Sequence, residues 1–328
     1  MRKLMILELV VLAVLLVVSA LVCSRIAEPV PAPEVTLDTS DTTPKSTETT
    51  TAPTSDFTPS WNTYPQDRQL LAQQYFVYDC KADFFPISSN QSDKIVNPAG
   101  ITHLFTAHVA LQYLQPDTEI TAGDALNLVA WGSSVAKIKK GDVLTVERLI
   151  EAMLLPSGSD AAYILACEAG RAIKGNPSLN ISSAVKAFVS QMNSQAASLG
   201  MTGTHFVNPD GIHNSDQYTT FADLAILGKL VLENQTIMKY AAKAKDEVAL
   251  HGETVEWKNT NSLVDPDAPH YCPYAVGLKT GQTPSAGSCL LSAFQMDETL
   301  LIIGVFGCPG EEDRFDDTLQ LFNQIVLK

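Results

Sequence analysis

Residues 276–287 read VGLKTGQTPSAG, an apolar strand that runs directly into a lysine, a threonine and a glycine. Lys279 supplies a cation, Thr280 supplies a hydroxyl, and Gly281 lets another backbone come close because it has no side chain. At the edge of a sheet, such groups can hold a peptide carboxylate. A tripeptide alone is a weak signal, so the segments that precede it decide what it means.

Two stretches upstream of this one contain further candidate motif residues. NPAGITH at 97–103 opens a helical pattern, with Gly100 at its head and His103 one turn later. Ser157 lies between two predicted helices, and Ser159 follows two positions on. Penicillin-recognising enzymes carry S-x-x-K, S-x-N and K-T-G in this order. The Ser and Lys of the first motif therefore fall on Gly100 and His103, and Ser159 stands where the Asn is usual.

The chain resembles the D-alanyl-D-alanine carboxypeptidases of the low-molecular-weight penicillin-binding protein family (serine peptidase S11) over about residues 70–328. The segments that carry the resemblance are KIVNPAGIT, WGSSVAKIKKGDVLTV, LLPSGSDAAYILA, LGMTGTHFVNPDGIH followed by YTTFADLAILGK, GLKTGQTPSAG and RFDDTLQLF. It implies an α/β (α+β) fold of the β-lactamase and transpeptidase type, with an antiparallel sheet flanked by helices and a helical subdomain. It also implies a role at the peptidoglycan cell wall without cofactor or metal. The C-terminal β-domain of many members is expected to be missing.

The resemblance also assigns the chemistry. In the family, the first serine attacks the D-Ala-D-Ala carbonyl, the lysine takes its proton, and the second-motif serine, here Ser157, relays protons. Gly100 offers no nucleophile, and covalent catalysis depends on one. Lys279 and Thr280 are expected to bind the terminal carboxylate, and the N–H groups of Gly100 and Gln282 to form the oxyanion hole.

Three functional hypotheses follow. The leading one is a catalytically impaired homologue that binds peptidoglycan stem peptides, with β-lactams bound non-covalently. The second is a weakly active D-Ala-D-Ala carboxypeptidase in which His103 activates water, since imidazole titrates near neutrality. Against the second, a lone histidine in an apolar helix is more often structural. The third is a structural scaffold for other wall enzymes.

Other residues fit the missing roles less well. Thr102 lies about 200° around the helix from Gly100, away from the site. His108 lies five positions after His103 and does not share its helix face, so no metal site is expected there.

Two literal S-x-x-K strings also occur, Ser134 to Lys137 and Ser183 to Lys186. The first lies in a family segment away from the nucleophile helix, and the second lies on a polar-faced helix after Ser157. Both are interpreted as coincidence.

Composition excludes several classes of partner. The 328 residues include 45% hydrophobic residues, enough for a sizeable core, and carry a formal net charge of −14. Nucleic acids and anionic lipid surfaces reward basic patches, so neither is expected to bind. Five cysteines beyond the N-terminal region are widely spaced, without a C-x-x-C pair, and buried free thiols are predicted.

The N-terminal region predicts export. Residues 1–27 have the charged start and apolar run of a signal peptide, but are also nearly long enough for an uncleaved membrane anchor, and both interpretations stay open. Residues 28–64 are rich in Thr, Pro and Ser and predict a disordered tether, and 65–328 the carboxypeptidase-like domain. The protein is thus expected at the outer face of the cytoplasmic membrane or in the cell wall, with membrane contact through the N-terminal segment only.

Hydrophobic periodicity predicts the order of elements. Thr145 and Thr220 are expected helix N-caps, with Asp223 reaching back as a capping-box acid, and Gly200 closes a helix. Predicted strands are 75–80, 274–281, 287–294 and 299–307, and predicted helices are 98–114, 144–157, 159–172, 182–200, 219–234 and 313–326.

Overall fold

A computed structural model describes residues 69–80, 85–90 and 94–326. The predictions of a signal peptide or anchor over 1–27 and of a tether over 28–64 lie outside these residues. In the described part of the chain, none of the helices has the length and apolar character needed to cross a bilayer.

The centre of the fold is a five-stranded antiparallel sheet with the strand order β2-β1-β9-β8-β7. Its strands are β1 (Gln74–Asp79), β2 (Phe85–Asn90), β7 (Ala275–Thr283), β8 (Gly287–Met296) and β9 (Thr299–Cys308). The KTG residues lie on β7, an edge strand of this sheet. Among the described strands, none pairs with the outer side of the KTG strand.

A helical insert separates β2 from β7 in the chain. Its helices are α1 (Thr102–Ala110), α2 (Val146–Leu154), α3 (Ser159–Ile173), α4 (Ile181–Ser198), α5 (Phe221–Leu232) and α6 (Gln235–Ala241), and α7 (Asp313–Val326) follows the sheet. The insert also contains two small two-stranded antiparallel sheets, β3 (Glu119–Thr121) with β4 (Val143–Thr145), and β5 (Lys245–Leu250) with β6 (Glu253–Lys258). Short 3-10 turns occur at Ala99–Ile101, Asp124–Leu128 and Ser262–Val264.

Apolar residues cover both faces of the sheet. Leu291 and Ile302 belong to the core shared with the helical insert, whereas Leu290 and Ile303 pack with the apolar residues of α7. Burial on both faces explains why these strands read as continuous apolar runs in the sequence. The predicted α/β architecture, an antiparallel sheet flanked by helices with a helical subdomain, is confirmed.

Helix boundaries differ from the predictions where local hydrogen bonding decides them. The predicted helix 98–114 is a 3-10 turn followed by α1, which ends at Ala110. Thr145 and Thr220 cap α2 and α5, accepting from the backbone N–H of Arg148 and Asp223. The predicted capping-box role of Asp223 is replaced by a tertiary one, because its carboxylate accepts hydrogen bonds from Gly203 N (2.9 Å) and Thr204 Oγ1 (2.6 Å).

The five cysteines in the described part of the chain are free, as predicted. Cys167, Cys272, Cys289 and Cys308 are buried, and Cys80 is half-buried. Burial raises the pKa of the Cys272 and Cys289 thiols to about 11. These thiols therefore behave as small apolar core residues at neutral pH.

Candidate active site

The sequence-predicted site residues meet in one cleft, with a volume of about 250 Å³, between the helical insert and the edge strand β7. Seven of the eight line it: Gly100, His103, Ser157, Ser159, Thr280, Gly281 and Gln282. The eighth, Lys279, is fully buried and is not among the lining residues. The turn that opens α1, the turn between α2 and α3, and the end of β7 thus converge although they are far apart in the sequence.

Glycine is required where β7 approaches the turn before α1. A Cβ atom on Gly281 would lie 2.9 Å from Ala99 Cβ and 3.0 Å from Gly100 N. Such contacts are shorter than real Cβ atoms make, so a side chain at Gly281 would push the two segments apart. Because Gly281 has no side chain, β7 and the turn before α1 can come this close, as the sequence suggested.

Gly100 also lies close to β7. A Cβ atom on Gly100 would be 3.0 Å from the Thr280 carbonyl oxygen and 3.3 Å from Ser157 Oγ. The φ of Gly100 is not positive, so the backbone itself accepts a side chain there. A side chain at Gly100 would therefore be crowded but is not excluded.

In the described part of the chain, three of the six non-glycine residues with positive φ lie at the motifs of the cleft. Ala99 (φ 45°), Ser157 (φ 61°) and Leu278 (φ 87°) have positive φ, and each is next to or part of a motif. Non-glycine residues hold such conformations only when the surroundings fix them, and this kind of strain clusters at functional sites. The surroundings thus fix the backbone at each of the three motifs, although Gly100, His103 and Ser159 differ from the family pattern.

Lys279 lies beneath the cleft. Its ammonium contacts Thr280 O at 3.2 Å, Thr260 Oγ1 at 3.3 Å and Thr280 Oγ1 at 3.4 Å, and the two threonine hydroxyls bond each other at 2.6 Å. Burial, with the positive charge of Arg314 as a second cause, lowers the pKa of Lys279 to about 7. Lys279 therefore influences the cleft through its contacts with Thr280, which lines the cleft.

His103 is 1% exposed and reaches the cleft from the first turn of α1. Burial lowers its pKa well below the ordinary value of 6.5, and the charge of Lys279 adds to the shift. The backbone of Met153, which lies near the ring, opposes this lowering of the pKa weakly. Within the described part of the chain, neither ring nitrogen of His103 has a hydrogen-bond partner. His103 is therefore a neutral imidazole at pH 7.

Because the unfolded chain protonates His103 near pH 6.5 and the folded protein does so only at lower pH, acid favours unfolding in that interval. We expect the free energy of unfolding to fall by up to about 1.4 kcal/mol per pH unit below pH 6.5 from this one proton. His103→Gln should flatten that part of the profile in urea denaturation between pH 7 and 5. His213→Gln, a change at an exposed histidine, is the control, and equal effects of the two changes would contradict the assignment.

Sequence reasoning missed several residues of the cleft. Asp210, Thr260, Glu311, Arg314 and the loop 132–134 all line it. Arg314 is 5% exposed and lies 3.8 Å from the Glu311 carboxylate, and burial raises the pKa of Asp210. In the sequence, Asp210 is the acid between Pro and Gly in NPDGIH, and Arg314 is the arginine of RFDD. Neither pattern by itself predicts a functional role.

The weaker sequence candidates for the nucleophile, the base and a metal site are Thr102, His108 and the two S-x-x-K strings. Thr102 and His108 do not line the cleft, and His108 Nε2 contacts Gln112 Nε2 at 2.8 Å. Ser134 lines the cleft from a loop rather than a helix, and Lys137 is exposed. Ser183 lies in the first turn of α4, and its backbone N–H donates a hydrogen bond to the side chain of Asn180, the N-cap of the helix. Among the described residues, no three His, Cys, Asp or Glu side chains come together as a metal site.

A buried carboxylate holds the loop that closes the cleft. Asp160 accepts hydrogen bonds from Ala136 N (2.9 Å) and Ile138 N (3.0 Å), and Ser159 N donates to Ser134 O (2.9 Å). These bonds tie the loop to the first turn of α3. The second-motif serines and the loop 132–134 are therefore positioned together.

Comparison with known proteins decides the family. A sequence profile described as D-alanyl-D-alanine carboxypeptidase, Peptidase S11, matches residues 62–310. The chain belongs to the D-alanyl-D-alanine carboxypeptidase family. The curated D-alanyl-D-alanine carboxypeptidase of Streptomyces sp. (strain K15) is 32% identical over 232 residues, which are 68% of this chain and 76% of that protein.

Other relatives agree with this placement. D-alanyl-D-alanine carboxypeptidase DacF of Bacillus subtilis (strain 168) is 26% identical over 231 residues, 69% of this chain and 55% of that protein. The chain thus spans little more than half of that relative. The crystal structure of the Streptomyces K15 DD-transpeptidase superposes with a TM-score of 0.70 at 28% identity, covering 80% of this chain and 99% of that one. The family and its penicillin-binding protein fold, both expected from the motifs, are confirmed, and the family acts on D-Ala-D-Ala peptides at the cell wall.

Proposed function

We propose that this protein is a catalytically impaired member of the family that binds D-Ala-D-Ala stem peptides. The observation that carries the proposal is the cleft itself, in which Gly100 and His103 occupy the nucleophile and base positions beside Ser157, Thr280 and Gly281. A site that has lost its nucleophile keeps its binding groups and only a residual rate. Binding without turnover is the function that this combination supports best.

The impairment has two chemical causes. Gly100 has no atom that can attack a carbonyl, so an acyl-enzyme at this position is impossible. Four serines line the cleft, but Ser133 and Ser134 belong to the loop 132–134 and Ser157 and Ser159 to the second motif, so none stands at the head of α1. His103 is neutral but fully buried, and a lowered pKa makes it a weak base.

Groups for binding a terminal carboxylate remain. Thr280 lines the cleft with its hydroxyl bonded to Thr260 Oγ1, and Arg314 lines the same cleft as a buried cation. Lys279 adds positive potential from beneath when it is protonated, below about pH 7. The N–H groups of Gly100 and Gln282 would orient the carbonyl that precedes the last residue, as the family arrangement implies. We expect β-lactams to occupy the same groups without forming a bond.

We further propose that the protein acts outside the cytoplasmic membrane. The support is the export-type composition of residues 1–27, the Thr- and Pro-rich segment 28–64, and membership of a cell-wall family. Residues 1–27 would serve as signal peptide or anchor, 28–64 as the tether, and 65–328 as the binding domain.

Calorimetric titration with a peptide ending in D-Ala-D-Ala, combined with fluorescent-penicillin labelling, tests the proposal. We expect saturable binding and no covalent adduct on the native protein. Thr280→Val should weaken binding at least about tenfold, because it removes a hydrogen bond to a charged group. Lys186→Ala on α4, outside the cleft, should leave binding unchanged.

Three results would contradict this function. A stable penicillin adduct on the native protein would show that a nucleophile is present. No measurable binding of the peptide would remove the binding role. Release of D-alanine that disappears in His103→Ala would establish the water-based hydrolase instead, the alternative favoured by the neutral, unpartnered imidazole at the cleft wall.

A further inference from the structure

Thr260 connects the buried lysine with the cleft, although it belongs to none of the three motifs. Its hydroxyl oxygen lies 2.6 Å from Thr280 Oγ1 and 3.3 Å from Lys279 Nζ. Thr260 and Thr280 both line the cleft, whereas Lys279 is not among the lining residues. A change in the protonation of Lys279 can therefore reach a ligand in the cleft through these two hydroxyl groups.

Hydrogen bonds of the neighbouring backbone and side chains fix the place of Thr260. Its N–H donates to the carbonyl oxygen of Leu155, the C-cap of α2, at 3.1 Å. The side chain of the preceding residue, Asn259, is buried and donates to Lys243 O at 2.8 Å. The Thr260 hydroxyl is thus held beside Thr280 by the chain around it, without help from a ligand.

The protonated lysine permits one direction of donation. An ammonium group has three donors and no acceptor, and a hydroxyl has a single donor. Nζ of Lys279 lies within 3.4 Å of three acceptors, which are Thr280 O, Thr260 Oγ1 and Thr280 Oγ1. Because Nζ cannot accept, the Thr260 hydroxyl is free to donate to Thr280 Oγ1. The Thr280 hydroxyl then keeps its own proton for a ligand carboxylate, which can only accept.

The neutral lysine favours the opposite direction. A neutral amine has a lone pair, and a buried acceptor without a partner costs free energy. The Thr260 hydroxyl can satisfy this lone pair by donating to Lys279 Nζ across the same 3.3 Å contact. Thr260 then accepts from Thr280, whose proton turns away from the cleft and whose lone pairs repel a carboxylate.

We propose that Thr260 is a positioning residue that makes carboxylate binding in the cleft depend on pH, through the direction of its hydrogen bond with Thr280. The inference rests on the proposed function, because the ligand is the terminal carboxylate of a D-Ala-D-Ala peptide. Burial, with the charge of Arg314 as a second cause, lowers the pKa of Lys279 to about 7. Proton and carboxylate favour each other's binding, so the peptide should bind tightly below pH 7 and more weakly as the pH rises above it.

Four other charged or titratable side chains of the described chain face the buried lysine or the cleft. His103 on α1 and Arg314 on α7 interact with the lysine charge, and Asp210 and Glu311 line the cleft. Arg314 stays charged at neutral pH, the pKa of His103 lies well below 6.5, and burial raises the pKa of Asp210. The described hydrogen bonds of the Thr260 hydroxyl involve none of these four. Removing that hydroxyl therefore leaves their contribution to the pH profile in place.

Calorimetric titration of the full chain at pH 6 and pH 8.5 tests the inference. The probe is an N-acetylated peptide that ends in D-Ala-D-Ala and has its terminal carboxylate as the one charge, which stays ionised at both pH values. One proton with a pKa of about 7 permits a change of up to about thirtyfold. Native protein should therefore bind about ten- to thirtyfold more tightly at pH 6. Thr260→Val should reduce this ratio about threefold or more, because the Thr280 hydroxyl loses the partner that sets its direction, and Thr260→Ser should keep the ratio.

Thr219→Val is the matched control. Thr219 shares a hydroxyl–hydroxyl hydrogen bond of 2.8 Å with Thr204, and neither residue lines the cleft. This variant should keep the native ratio between pH 6 and pH 8.5. The same peptide with a C-terminal amide is a second probe. Since an amide both donates and accepts, it can bond the Thr280 hydroxyl in either direction, and its binding should be nearly independent of pH.

Each outcome decides the inference. A ratio that falls in Thr260→Val and persists in Thr260→Ser and Thr219→Val supports it. Equal binding by native protein at the two pH values overturns the inference and leaves the proposed function standing. A native ratio in Thr260→Val, or an equal loss in Thr260→Ser, also overturns it, because the Thr260 hydroxyl would then not set the direction. No binding of the D-Ala-D-Ala peptide at either pH overturns the proposed function and this inference together.

Discussion

The double variant Gly100→Ser with His103→Lys is expected to form a covalent adduct with fluorescent penicillin, whereas the native protein forms none. Loss of a serine nucleophile costs about 10⁶-fold in rate in a comparable serine enzyme, and a general base contributes about 10²–10⁴-fold. Restoring both groups together should therefore change labelling from undetectable to readily visible on a gel. Either single variant should stay near background.

The geometry around Gly100 permits the first change at some cost. A serine Cβ would lie 3.0 Å from the Thr280 carbonyl and 3.3 Å from Ser157 Oγ, so β7 and Ser157 must move by a few tenths of an ångström. The non-positive φ of Gly100 means that no backbone strain is added. We expect slower acylation than in an ordinary member, because the new hydroxyl starts in a crowded position.

The second change uses the electrostatics of the site. His103 is fully buried beside Lys279, whose own pKa is already lowered to about 7. A lysine at position 103 would experience the same burial and a like charge, and both lower its pKa. Both effects favour the neutral amine, the form that can take the serine proton.

The matched control is Gly100→Ala with His103→Lys, which introduces the same crowding and the same amine but no hydroxyl. Labelling should follow the hydroxyl alone. If the serine variant folds, as judged by circular dichroism, and still shows no adduct, then the loss is not confined to Gly100 and His103. Ser159 in place of the motif Asn would be the next position to change.

Two features of the sequence predicted parts of the fold: long apolar runs, and three motifs in a fixed order. The three apolar runs of β7, β8 and β9 are buried on both faces, so their composition alone indicates strands. The order of three motifs indicated where the cleft lies. The strands β2 to β6 and the short helix α6 were not predicted. In β5 and β6 the buried residues do alternate with exposed ones, but each strand has only six residues and two buried side chains, which is a short run for a strand prediction.

The parts that were missed depend on distant contacts. Thr260 meets Lys279 and Thr280 across nineteen or twenty positions, and Arg314 reaches the cleft from α7. Nothing near Lys279 in the sequence indicates that its ammonium is buried beneath the cleft. Asp223 shows the same limit, since a plausible capping-box acid is used to hold the segment at Gly203 instead.

Asp160→Ala is expected to have the largest effect on stability. Asp160 is 2% exposed, and its two carboxylate oxygens accept from Ala136 N and Ile138 N, besides Ala161 N at 2.9 Å. Alanine leaves these buried donors unsatisfied, at about 1–3 kcal/mol each. We expect a loss of about 3 kcal/mol or more in the free energy of unfolding, measured by urea denaturation.

In a domain of this size, 1 kcal/mol corresponds to about 2–4 °C in Tm, so a decrease of roughly 6–12 °C is expected. Asp124→Asn is the control, because Asp124 pairs with Lys140 at the surface with half of its side chain exposed and should cost at most about 1 kcal/mol. Since Asp160 also holds Ala136 and Ile138, which follow the loop 132–134 in the chain, the folded variant should bind the D-Ala-D-Ala peptide more weakly at low temperature. A loss below 1 kcal/mol would mean that the loop is held by Trp257, whose Nε1 donates to Ala136 O at 3.0 Å, rather than by the carboxylate.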